Sequence, residues 1–189
     1  ILVYKDMGLV SQVFDESTLE ALQGYVAIGH ARYSTTGAST WHNAQPTFRP
    51  TADGSIALAH NGNLINTREL LDMVNELPSD RGELDIHARN LETSTNDTSL
   101  VTQLLAHHPD IALEERAAEV LGKVKGAFSF VWMDETTLYA ARDPQGIRPL
   151  VLGRLERGWV VDGQTAALDI VGASFIREVE PGELIAIDY

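Results

Sequence analysis

The chain has 189 residues, 44% of them apolar and 22% charged, which suits one globular domain with a sizeable core. Lys and Arg number 14 against 27 Asp and Glu, for a net charge of −13. That balance excludes a phosphate-tracking nucleic-acid binder and an anionic membrane surface as partners. There is no cysteine, so these residues hold no disulfide, no thiolate metal site and no cysteine nucleophile. No apolar run is long enough to span a bilayer.

In chain order, Ile1-Leu2-Val3 reads as the middle of a strand, with no Met and no signal peptide before it, as if cut from a longer chain. Asp15 to Gln23 is a predicted helix with an acidic start and Gly24 after its end. A strand is predicted over Gly24–Tyr33 and a second over Ser55–Asn61. Asn66 and Glu69 have capping-box spacing; Leu70, Leu71, Val74 and Leu77 follow at helical period, and Pro78 stops the run. The polar stretch Asp80–Thr95 is a predicted loop. Asp97 stands where the next helix begins, and His107-His108-Pro109 where it ends. A further helix covers Leu113 to Val124. Strands are then predicted at Gly126–Met133, Thr137–Arg142, Leu150–Leu155, Trp159–Asp162 and Gly182–Ile187. Helix-separated strands followed by a strand-rich half indicate one α+β or layered α/β domain.

Two strands end alike. Val26, Ile28 and His30 lead to Arg32, and Ile56, Leu58 and His60 lead to Asn61-Gly62-Asn63. Period-two alternation puts Val26, Ile28, His30 and Arg32 on one face. Arg32 is then either a structural ion pair or a bidentate clamp for a carboxylate. Asn61-Gly62 is either a hairpin turn or a pair of neutral donors, amide and backbone N–H, of the kind an oxyanion hole needs. Asp97 is either a helix cap or the anion for an ammonium group. The histidines at 30, 42, 60, 87, 107 and 108 lack metal-ligand spacing; a His30/His60/Asp97 metal site is the weaker alternative to structural histidines. The run Arg142-Asp143-Pro144-Gln145-Gly146-Ile147-Arg148-Pro149 reads as a loop between strands, with its Arg–Asp pair open to a structural role.

Taken together these pieces resemble one family. Gly29 to Gly37 is similar to the glutamine-site strand and loop of class II glutamine amidotransferases. Ala59 to Leu64 resembles their His-Asn-Gly-Asn segment, and Thr95 to Thr98 their Thr-(Ser/Thr)-Asp segment. Arg142 to Leu150, Ala167-Leu168-Asp169 and Val179 to Glu183 narrow the resemblance to amidophosphoribosyltransferases. The resemblance covers nearly the whole chain, in order.

It implies a four-layer αββα N-terminal nucleophile hydrolase sandwich with two antiparallel sheets, lacking its first strands. Residues 1–189 would be a partial glutaminase domain, with the phosphoribosyltransferase domain absent. The implied reaction is hydrolysis of the glutamine side-chain amide, with ammonia passing to that domain of the same chain in the first step of purine synthesis. Arg32 would hold the substrate α-carboxylate, the Thr35 loop would line the pocket, and Asp97 would take the α-ammonium. Asn61 and Gly62 would form the oxyanion hole. The family's cysteine nucleophile is missing, so these residues alone are expected to be inactive. Val161-Asp162-Gly163-Gln164-Thr165 replaces the family's usual Ala-Ser-Glu-like segment. No metal or cofactor is expected in this domain; magnesium belongs to the absent one. A cytoplasmic enzyme, homo-oligomeric at full length, is the implied setting. The alternatives are the same domain serving another ammonia acceptor, a glutamine-binding module without a nucleophile, and the His/Asp metal hydrolase.

Overall fold

The long apolar alternations at Ser55–Leu64 (β2) and Gly126–Met133 (β3) meet at the centre of the molecule. They pair antiparallel from Ala57 opposite Met133 to Leu64 opposite Gly126. The structure, a computed structural model, describes residues 1–32, 41–51, 54–77, 96–107 and 111–188.

Thr47–Pro50 (β1) flanks β2, while Thr137–Arg142 (β4) and Leu184–Asp188 (β8) extend the sheet beyond β3, giving the order β1-β2-β3-β4-β8. A second sheet has Val151–Leu155 (β5) between Gly158–Asp162 (β6) and Ser174–Glu178 (β7). Every pairing in both sheets is antiparallel.

The two faces of the first sheet do different work. Ile56, Leu58, Leu64, Phe128, Phe130 and Trp132 point to a helix layer of Thr67–Asn75 (α3), Asp97–Ala106 (α4) and Leu113–Leu121 (α5). There they bury against Leu70, Val74, Val101, Leu105 and Val120. Side chains of the opposite face, Val131, Ala140 and Ile185, pack on Leu150, Val161 and Val179 beside the second sheet. Thr165–Val171 (α6) covers the outer face of that sheet through Leu168, which meets Val151 and Ala173. Gly153 of β5 makes this close approach possible, since a Cβ there would stand 2.8 Å from Leu168 Cδ2. The order is therefore helices, sheet, sheet, helix, as expected.

The predicted β3 and β4 have the observed bounds. Two short helices open the chain, Val10–Val13 (α1) and Glu16–Ala21 (α2). Asp15 caps the second by accepting from Thr18 N–H at 2.8 Å. Here α1, β1, α6 and β7 are additions to the predicted set.

The strand expected over Gly24–Tyr33 is not one over its described residues, 24–32; Tyr33 lies outside them. Residues 24–32 pair with no other strand among the described residues. The alternation persists all the same: Val26, Ile28 and His30 are half-buried, while Tyr25, Ala27 and Gly29 are exposed. The pattern reports a face turned toward the protein, whereas a strand also needs a ladder partner. Ile1–Val3 likewise lies outside any strand.

Asn66 precedes α3 but its side chain does not cap it. Its Nδ2 donates to Lys123 O at 2.9 Å, and its Oδ1 accepts from Lys125 N–H at 2.9 Å, pinning the entry to β3. The cap of α4 is Asn96, whose side chain accepts from Thr98 N–H, and Asp97 is the first helical residue. The loop expected at Asp80–Thr95, Pro78, and the histidines at 87 and 108 lie outside the described residues.

Candidate active site

Asn61-Gly62 is not a turn, because β2 runs through it to Leu64. Gly62 has φ +154°, and a Cβ there would lie 2.0 Å from Ala127 O and 2.8 Å from His60 Nε2. Only glycine fits. Around it β2 has an open edge among the described residues, because β1 reaches no further than Leu58. Phe128, opposite Gly62, directs its N–H and C=O to Asp143 on the far side. Groups of β2 in this register therefore point away from β3. His60 N–H is taken by Gln45 Oε1 at 2.6 Å, and Leu64 N–H by Asp97 Oδ2 at 3.2 Å. The Gly62 N–H lies between them in the same register and faces the same edge.

That edge borders a cleft of about 830 Å³, lined by Arg32, His60, Asn61, Gly62, Asp97 and Arg148 among others. Four of the five predicted site residues therefore converge: Arg32, Asn61, Gly62 and Asp97. Thr35 lies outside the described residues. Arg32 is exposed at the rim, its Nη1 3.4 Å from Asn43 O.

Asp97 is held from several sides. Burial pushes its carboxyl up, but the His60 ring and the Leu64 and Thr98 amides outweigh this and leave it below the ordinary carboxylate value. It is therefore an anion at neutral pH. His60 is the buried support, with 5% of its surface exposed. Its Nδ1 stands 3.6 Å from Asp97 Oδ1, and its ring lies against Phe130 with centroids 4.6 Å apart. Gln45 links the strand edge to α4, donating from Nε2 to Thr98 Oγ1 at 3.1 Å. Burial also holds the His30 imidazole below its usual value, outweighing a hydrogen bond to the His60 backbone that acts the other way, and the Arg32 guanidinium adds to the lowering. No group of three His, Asp or Glu among the described residues could hold a metal ion, so His30, His60 and Asp97 do not assemble as ligands.

Two residues of this region were given no site role from the sequence. Gln45 sits in no motif. Arg148 belongs to the loop after β4 and donates from Nη2 to Asn61 Oδ1 across 87 positions of sequence. The Arg142–Asp143 pair is not an ion pair but two separate anchors of that loop. Arg142 donates to Arg148 O, Gly146 O and Val179 O, at 2.7, 3.0 and 2.7 Å. Asp143, fully buried, accepts from the N–H groups of Phe128, Gln145, Ile147 and Arg148. The divergent segment at 161–165 forms a local turn, with Asp162 Oδ1 accepting from Gln164 N–H at 2.9 Å, and residues 161–164 line the same cleft.

The profile of the glutamine amidotransferase domain matches residues 30–169. The chain belongs to that family. Among its relatives, the amidophosphoribosyltransferase of Mycobacterium leprae is 59% identical over all of this chain and 33% of its own length. That of Bacillus subtilis is 38% identical over all of this chain and 37% of its own length. The solved glutamine phosphoribosylpyrophosphate amidotransferase from B. subtilis, complexed with ADP and GMP, superposes with a TM-score of 0.80 at 36% identity. That match covers 96% of this chain and 37% of the other. The fold is thus the N-terminal nucleophile hydrolase sandwich. The chain spans about a third of the length of the curated relatives it matches.

Proposed function

We propose that this chain is the glutamine-binding and oxyanion-stabilising part of the glutaminase half of an amidophosphoribosyltransferase. The observation that carries the reading is the convergence of a guanidinium, a carboxylate and an Asn-Gly donor pair on one cleft. A free amino acid carries one charge of each sign at its α-carbon, so it needs an anion and a cation at fixed separation. Arg32 suits the α-carboxylate, and Asp97, ionised at neutral pH, suits the α-ammonium. The side-chain amide carbon is uncharged in the ground state and acquires an oxyanion when attacked. Neutral donors aimed at that oxygen stabilise the transition state more than the substrate. Asn61 Nδ2 and Gly62 N–H fill that role.

The attacking group must be a thiol or an equivalent nucleophile. No cysteine is present among the 189 residues, so the proposed hydrolysis takes place in a longer protein that supplies it. There the nucleophile forms a bond to the amide carbon, ammonia leaves, and water releases glutamate. The ammonia would pass to a phosphoribosyltransferase domain of the same protein, cytoplasmic and homo-oligomeric. No helix among the described residues is long and apolar enough to cross a membrane. The absence of cysteine favours a second reading, in which glutamine is bound but not cleaved. The coding sequence upstream of Ile1 separates the two.

The direct test is calorimetric titration of this chain with glutamine. Binding that Arg32→Ala abolishes supports the clamp. Equal affinity in the variant overturns it.

A further inference from the structure

We infer that Arg148 is a positioning residue that sets the orientation of the Asn61 side-chain amide. The inference deepens the oxyanion reading above and rests on it. An asparagine amide has one acceptor end and one donor end, and only the donor end can serve an oxyanion. Left alone, the group has two flip states of similar energy, and in one the acceptor would face the developing negative charge. A guanidinium is donor-only. Placed against Asn61 it admits only Oδ1, and it does meet Oδ1 through Nη2. With Oδ1 held there, Nδ2 is the other branch of the planar amide, and it stands 4.0 Å from the position of a Cβ on Gly163.

The guanidinium is itself carried on a rigid base. The Arg148 N–H donates to Asp143 Oδ2 at 2.9 Å, and the Arg148 carbonyl accepts from Arg142 Nε at 2.7 Å. The next carbonyl, of Pro149, accepts from Ser129 Oγ of β3 at 2.9 Å. The loop is therefore fixed through its backbone, independently of the Arg148 side chain. Removing that side chain leaves these anchors intact and frees only the amide. The turn-rich run between β4 and β5 is in this reading a brace that reaches from the junction of the two sheets to Asn61 on β2.

The test uses the full-length enzyme and steady-state release of glutamate from glutamine, with variants N61A, R148M, R148K and N61A/R148M. A misplaced catalytic group costs about 100-fold. R148M should lower kcat about that much and leave KM within threefold. The double variant should be no slower than N61A alone, since both changes act through one amide. R148K, which keeps a donor on a long stem, should retain kcat within tenfold and covers the case in which R148M fails to fold. A raised KM with unchanged kcat would make Arg148 a substrate cation and overturn the inference. So would additive losses in the double variant, or an R148K as slow as N61A. If N61A loses kcat while R148M does not, the brace alone fails. If N61A keeps full kcat, the donor reading fails and takes the brace with it.

Discussion

Replacing Asp143 by Asn removes one charge and two acceptor sites from a fully buried position. In the parent, Oδ1 accepts from Gln145 and Ile147 at 3.1 and 2.9 Å, and Oδ2 from Phe128 and Arg148 at 3.3 and 2.9 Å. An asparagine can satisfy one of these pairs. Its NH2 then meets the other two N–H groups donor to donor. A hydrogen bond to a charged group contributes about 1.5–3 kcal/mol, so two lost bonds cost about 3–6 kcal/mol. That is a large part of the ~5–15 kcal/mol that holds a typical domain folded. Urea unfolding followed by tryptophan fluorescence reads it directly, because Trp132 is fully buried and stacked on Tyr139 at 5.3 Å. The midpoint should fall at an unchanged slope. Acid titration adds a second signature. Burial raises the Asp143 carboxyl, but its four amides outweigh that and hold it below the ordinary carboxylate value. A depressed folded-state pKa stabilises fully above the unfolded value of about 3.9, and the gain is lost as pH falls through the folded value. Asp143→Asn should remove that part of the acid limb. A variant within about 1 kcal/mol of the parent, with an unchanged acid limb, would refute the hub.

Three further outcomes are expected. Gly62→Ala puts a Cβ 2.0 Å from Ala127 O, so β2 must part from β3. A loss of about 1–3 kcal/mol from overpacking, together with faster exchange of the β2 amides, would check it. Leu168→Ala empties a side chain with 1% exposure under α6 and should cost about 2–5 kcal/mol in the same urea assay. Glutamine affinity should be flat from neutral pH down through the ordinary carboxylate range and fall only below it, because Asp97 is held below its usual value; Asp97→Asn should bind weakly at every pH in the same calorimetric titration.

What the sequence made legible was set by how local the physics is. β3 and β4 carry their apolar pattern and their turn residues within a few positions, and both bounds were readable. Residues 24–32 show where pattern stops short of structure. Alternating burial can be read from Val26, Ile28 and His30, but a hydrogen-bonded neighbour cannot. At Asn66 the local capping option lost to the distant Lys123 and Lys125 backbone. In the site, Asn61, Gly62 and Asp97 were legible as a set only through a family resemblance, since each has an adequate local explanation. Gln45 and Arg148 act through contacts 15 and 87 residues away in sequence, and nothing adjacent to either marks its partner.

The open edge of β2 has a consequence for association between molecules. An exposed sheet edge is ordinarily a template on which a foreign strand can add, and fibrils grow that way. Here the Gln45 amide oxygen and the Asp97 carboxylate occupy the donors at His60 and Leu64. A strand needs several consecutive rungs and finds two of them plugged. Among the described residues the gap at Gly62 is one rung wide, too narrow for a neighbouring chain to add to.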